Sequence, residues 1–175
     1  MIDKKERIIN AASKIIENKG SSGLTVRTVA KKCKSHPHLI YNHFKNKNGL
    51  LSHVAQRLTN EMLTESLCFH RSNKDQLIHT VSVFLKKVSK TPHIIDFIFF
   101  NPEIGQILPK NSLSIADNLS QKINAVIADL SKEKKIKTQE LSLRIWSTIN
   151  GLAMLIKQGV LKYSPQLAEN RLSYI

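Results

Sequence analysis

The chain has 175 residues, 41% hydrophobic and 23% charged, and a net charge of +14. The first two values are those of an ordinary globular protein with enough length to bury a core. The charge is unusual and uneven: residues 1–60 hold twelve Lys and Arg against three Asp and Glu, whereas residues 61–175 hold fifteen against ten. Such asymmetry points to a polyanionic partner, either nucleic acid or an anionic membrane surface, because a merely solubilising charge would be spread evenly. No stretch approaches the roughly 20 apolar residues of a membrane span, and MIDKKERIINAASKIIENKG carries no signal-type apolar run, so a cytoplasmic protein without a membrane partner is expected. Cys33 and Cys68 are too few for a disulfide framework or a metal cluster and read as packing residues.

Nearly every apolar run repeats at helical spacing, so the fold class is all-α. Ile8, Ala12, Ile15 and Ile16 line a first helix ended by Gly20. Thr25 is placed to cap a second helix from Val26 to about Cys33, and Pro37 suits the first turn of a short third helix ending near Phe44. A fourth runs from Lys47 to about Phe69 on the stripe Leu51, Val54, Leu58 and Met62. Beyond Arg71, Asp75 reads as the cap of a fifth helix bearing Leu77, Val81, Phe84 and Val88. Pro92, Pro102 and Pro109 then divide a region containing IIDFIFF (94–100) into short pieces. Ser112 and Thr138 read as caps of two last long helices, with Ile115, Leu119, Ile123, Val126 and Leu130 on one and Leu141, Ile145, Ile149, Leu152 and Ile156 on the other. The charged turn SKEKKIK (131–137) joins them as an antiparallel hairpin.

The chemistry concentrates in residues 25–47. Two short helices separated by Lys34 to His36 have helix-turn-helix spacing, in which the second helix enters the major groove of DNA. Ile40 and Phe44 must then anchor that helix inward. His38, Leu39, Asn42 and His43 face outward with Tyr41 at the flank, a mixture of base-edge readers and phosphate donors. Thr25, Arg27, Lys45 and Lys47 flank them as hydroxyl and cationic phosphate contacts. A metal site is not expected from His36, His38 and His43, because His38 and His43 do not share a helical face and no carboxylate or thiolate lies close in sequence.

The order IINAASKIIENKG, LTVRTVAKKC, LIYNHFKNKNGLL resembles the N-terminal DNA-binding domain of TetR-type transcriptional regulators over about residues 5–52. The likeness rests on Ala11–Ala12, Gly20, Thr25, Val29–Ala30, and Tyr41-Asn42-His43-Phe44 with Lys47 and Leu50. It implies a helix-turn-helix domain over residues 1–50 and a helical ligand-binding and dimerisation domain over 51–175. It implies phosphate contacts from Thr25, Arg27, Tyr41, His43 and Lys47, and base reading from Pro37, His38, Leu39 and Asn42. The family usually has Gly-Val-Ser in the turn, where this chain has Lys34-Ser35-His36. A left-handed Lys34 costs about 1 kcal/mol relative to glycine, and His36 caps less well than serine.

For the body, Phe84, Phe97 and Phe100, with Ile94, Ile95, Ile98 and Phe99, are candidates to line a pocket for a small apolar or amphipathic effector, which His70, His79 and His93 are placed to orient. The last hairpin is apolar beyond one stripe, so Ile123, Ile127, Ile145, Trp146, Ile149, Gly151 and Leu152 are candidates for a homodimer interface. Twofold pairing matches the half-sites of a palindromic double-stranded DNA operator. Together these readings describe a dimeric, effector-released repressor without cofactor or metal; the alternative is a chromosome-binding protein of the same fold acting without a small ligand. No nucleophile–base pair, acid pair or phosphate loop supports an enzyme.

Overall fold

The first helix, α1 (Lys4–Lys19), buries Ile8, Ile9, Ala11, Ala12, Ile15 and Ile16 on one face, as the 3.6-residue repeat requires. It stops at Gly20, whose φ of 70° and ψ of −177° lie in a region open to glycine and hardly to any other residue. The computed structural model describes residues 3–66, 72–107 and 115–173, and every regular element among them is helical. Cys68, His70, Arg71, Pro109 and Ser112 lie outside the described residues, as do the side chains of Ile115 and Leu119. After a 3-10 turn at Ser21–Gly23 come α2 (Val26–Lys32), α3 (Pro37–Phe44), α4 (Lys47–Ser66) and α5 (Asn73–Lys90). Then follow α6 (Pro92–Ile95), a π-helical turn (Asp96–Phe100), α7 (Pro102–Ile107), α8 (Ile115–Lys134), α9 (Thr138–Lys157) and the short α10 (Leu167–Arg171).

The chain forms two compact units. One comprises Met1–Glu61 with Thr91–Ala116, the other Met62–Lys90 with Asp117–Ile175. In the first, α1, α2, α3 and the start of α4 share one core that also takes in Phe97, Ile98 and Ile104. Helix α6 packs on α1, with the His93 ring close to Gly20. Periodicity makes α4 the one long element leaving the head; the structure adds residues 94–104 as a second segment seated on the head's own core. Arg57 ties α1 to α4 by ion pairs to Glu6 at 2.5 Å and Glu61 at 2.9 Å. In the second unit α5 packs against α9 and α10, and Glu65 receives Lys87 at 2.7 Å, which holds its carboxyl below the usual carboxylate range.

Two caps differ from the sequence expectation. Asp75 does not cap α5: Ser72 does, accepting from the Asp75 N–H at 3.1 Å while its hydroxyl donates to the Asp75 carboxylate at 2.8 Å. Asp75 thus sits at N3, supporting the capping hydroxyl through its carboxylate rather than capping the helix itself. Thr138 is already inside α9, after an N-cap Lys137 without a side-chain bond, and its hydroxyl pairs with that of Ser131 at 2.6 Å. Helix α8 also runs on to Lys134, so the connecting turn is shorter than SKEKKIK.

Helix ends explain most of the unusual backbone. At the end of α2 the Ser35 N–H donates to Ala30 and the Lys34 N–H to Lys31, a Schellman motif with Lys34 left-handed at φ 49°. The end of α8 repeats it: Ile136 donates to Ser131, Lys135 to Lys132, and Lys135 has φ 54°. Between α3 and α4 the Asn46 N–H donates to the Phe44 carbonyl at 2.7 Å across Lys45 at φ 62° and ψ −47°. This is the rare, strained γ-turn. It brings the Phe44 carbonyl so close to α4 that a Cβ on Gly49 would lie 2.1 Å from its oxygen.

Two stability measurements follow. Gly49→Ala forces that turn or the first turn of α4 to shift, and the strain, about 1–3 kcal/mol as for other overpacking, outweighs alanine's helix propensity. The thermal midpoint falls by several degrees; an unchanged or raised midpoint contradicts the tight turn. Lys135→Gly removes a left-handed side chain and raises the midpoint by about 2–4 °C, the shift expected for roughly 1 kcal/mol in a chain of this size; a fall contradicts the assignment.

Candidate nucleic-acid interface

Helix α2 opens on Thr25, whose hydroxyl accepts from the Thr28 N–H at 3.0 Å while the Thr28 hydroxyl accepts from the Thr25 N–H at 2.9 Å. The Thr25 O–H in turn donates to the Thr28 hydroxyl oxygen at 3.2 Å, so a phosphate contact from Thr25 would exchange this bond for one to the phosphate. Val29 and Ala30 fix α2 to the core and leave Arg27 exposed. After the turn, His36 precedes α3 without capping it by its side chain, and Pro37 takes the first helical position, where no N–H is needed.

Helix α3 is held by Ile40 and Phe44, 1% and 3% exposed. The Phe44 ring meets His53 edge-on at 5.2 Å, and the Lys5 ammonium stands 5.9 Å from its centroid. His53 is itself oriented by donating from Nδ1 to the Gly49 carbonyl at 2.9 Å. With two anchors buried, Pro37, His38, Tyr41 and Asn42 are left exposed; Leu39 and His43 are half-buried, the former packed against the core. The Asn42 amide lies 3.1 Å from His38 Nε2, so in the free protein Asn42 donates to an unprotonated His38 nitrogen. The second N–H and the amide oxygen of Asn42 stay available for a base edge while this bond orients the group.

The start of α4 contains a residue that the sequence reading passed over. Asn46 accepts from the Gly49 N–H at 2.8 Å through its side chain, acting as the N-cap that sets Lys47, exposed, on the first turn. Asn directly before a helical run is a recognisable cap signal.

The electrostatics are one-sided. Residues 18–60 contain eight Lys and Arg and no Asp or Glu. Glu61, the first carboxylate after this stretch, and Glu6 on α1 both pair with Arg57. Cys33 lies at the centre of this region but is buried; its thiol donates to the Val29 carbonyl at 3.0 Å, and burial raises its pKa. It packs rather than reacts.

The other candidate residues have different surroundings. Phe97 is 1% exposed in the core of the first unit, Phe100 is 56% exposed, and Phe84 is half-buried on α5 in the second unit. Ile123, Ile127, Ile145, Ile149 and Leu152 are buried inside the single chain. Trp146 is half-buried, its indole N–H 3.4 Å from the Asn124 side-chain oxygen, and Gly151 is exposed with open space where a Cβ would stand. Among the described residues no three His, Cys, Asp or Glu side chains gather as a metal site, and no helix is long and apolar enough to cross a membrane.

The family of bacterial regulatory proteins described as tetR matches residues 8–54. No curated protein matches the chain. Among solved structures it is similar to a transcriptional regulator from Rhodococcus sp. RHA1, with TM-score 0.73 and 20% identity over 98% of this chain and 93% of that one. It is also similar to a TetR family regulator from Marinobacter aquaeolei VT8, with TM-score 0.69 and 14% identity over 97% and 92%. A third is the regulator FadR of Bacillus subtilis in complex with stearoyl-CoA, with TM-score 0.70 and 18% identity over 97% and 96%. Residues 8–54 thus match the tetR family model, and the all-helical fold of the chain is similar to those solved structures.

Proposed function

We propose that the protein is a dimeric transcriptional repressor that leaves a palindromic operator when a small apolar or amphipathic ligand binds its helical body. The observation that carries this is the head: a carboxylate-free stretch of eight cations around a recognition helix whose outer face is exposed. In this reading Thr25, Arg27, Tyr41, His43 and Lys47 hold phosphates, while Pro37, His38, Leu39 and Asn42 meet base edges. Residues 1–50 serve DNA, and the remainder serves pairing and the effector.

For pairing, the buried stripe of α9 (Ile145, Ile149, Leu152) already fills the protomer's interior. What remains for a partner lies on the opposite side of the same helix. Leu143 and Met154, 69% and 59% exposed, share that face with Gly151, and Leu155 lies beside them. Two large apolar side chains exposed on one helix face, beside a glycine that admits close approach, suit twofold packing. For the effector, the stearoyl-CoA bound to FadR supports an acyl-chain ligand, since the apolar 94–100 region offers few charges. Movement of that region bears directly on the head, because Phe97 and Ile98 belong to the head's core. A ligand shifts the DNA-binding equilibrium only by its differential affinity for the two states.

Three measurements test these parts. Affinity for duplex DNA falls steeply with salt; Lys47→Ala weakens every duplex alike, and Asn42→Ala relaxes preference at one base pair by about 1–3 kcal/mol. Equal weakening at all sequences by Asn42→Ala removes its base-reading role. In sedimentation at micromolar concentration the wild type is a dimer and Met154→Glu a folded monomer, the site being exposed; a monomeric wild type rejects the pairing. Long-chain acyl-CoA raises the thermal midpoint and lowers DNA affinity; stabilisation without loss of DNA binding rejects an inducer role for it.

A further inference from the structure

A recess of about 230 Å³ opens between the start of α1 and the turn that leads into α3. It is lined by Lys4 and Arg7 from one side and by Lys34, Ser35, His36 and Leu39 from the other, and no Asp or Glu is among its walls. It is smaller than the roughly 300–1,000 Å³ of drug-sized ligand pockets, which suits a single anionic group better than an organic effector. One N–H of Arg7 donates to the Cys33 carbonyl at 3.3 Å, fixing the guanidinium across the turn and leaving the group further donors. Lys34 holds the left-handed position of a Schellman turn, where glycine relieves strain, yet a cation stands there and lines the recess. Strain kept at a surface turn is a pointer to function when an independent feature coincides with it; here that feature is the basic recess itself.

We infer that this recess is a phosphate site, and that its occupant is a backbone phosphate of the DNA beside the N-terminal end of α3, held by Lys4, Arg7 and Lys34. None of Thr25, Arg27, Tyr41, His43 and Lys47 lines it, so it is a separate contact. Because His36 and Leu39, at the start of α3, also line it, a phosphate seated there fixes how deeply the recognition helix enters the groove. The inference rests on the DNA-binding reading given above.

The test uses the full chain and a fluorescent 30-base-pair duplex of random sequence, with affinity measured across a salt series. Lys34→Gly is the central variant, Lys34→Arg keeps its charge, Lys4→Ala removes a second wall, and Lys135→Gly is the control, relieving the same kind of turn strain away from the recess. Lys34→Gly is expected to melt higher than wild type yet bind the duplex more weakly. Its log–log salt slope should be shallower by about 0.9, the loss of one phosphate contact. Lys4→Ala weakens and flattens likewise, while Lys34→Arg and Lys135→Gly keep the wild-type slope. A purely structural turn residue gains stability without losing affinity or slope; that result for Lys34→Gly, beside a steeply salt-dependent wild type, overturns the recess and leaves the DNA-binding reading standing. A wild type that binds no duplex overturns both. Inorganic phosphate at matched ionic strength distinguishes the source. If it stabilises wild type but not Lys34→Gly, with DNA slopes equal in both, the recess holds a free phosphate and the backbone assignment is overturned.

Discussion

An eight-residue helix does not persist in water on its own, so the head depends on the burial of Ile40 and Phe44. Each contributes roughly 1.5–3 kcal/mol on leaving water, and together they fix α3 in rotation, so that what faces outward is decided by what is pinned inward. The pin is specific: Phe44 is gripped by an edge-on His53, which in turn is bonded to the α4 backbone. The polar face of α3 is therefore a consequence of its apolar one.

The ends of α3 carry the cost of this placement. Lys34 before it and Lys45 after it both have positive φ, conformations that side-chain-bearing residues seldom take. The left-handed Schellman position at one end and the γ-turn at the other turn the chain sharply enough for α2 and α4 to pack on the same core. Glycine would relieve either turn, but it would also remove a cation from the basic surface proposed to meet DNA. Gly49 shows the opposite choice, accepting glycine's helix penalty where the turn leaves no room for a Cβ.

Much of this was legible in sequence because the head is locally consistent. The Thr25 cap, Pro37 at the first turn, the Ile40–Phe44 spacing and the left-handed cost at Lys34 each state one fact of the observed structure. What escaped has physical causes. Ser72 and Asp75 bond to each other at the start of α5, and the pattern alone does not say which opens the helix. The γ-turn at Lys45 leaves no composition signal, and with it went Asn46 and the need for Gly49. The apolar surplus of α9 raises the expectation of a second partner, but periodicity does not tell which of two apolar faces lies inside the protomer. Ile145 and Ile149 proved internal, and Leu143 and Met154 are the ones exposed. The seating of Phe97 on the head's core is a long-range contact that no local pattern encodes.

The central claim is that α3, held by two buried anchors, reads DNA as one half of a twofold pair. The most direct measurement is selection of duplexes from a random-sequence pool by the full-length protein at moderate salt. The account predicts enrichment of a palindromic motif whose half-sites recur one helical turn apart or a multiple of it, about 34–36 Å per turn, with the motif lost when Ile40→Asp removes the anchor and degraded at one position per half-site by Asn42→Ala. Recovery of an asymmetric single half-site, or of bound DNA without any enriched sequence, would contradict it.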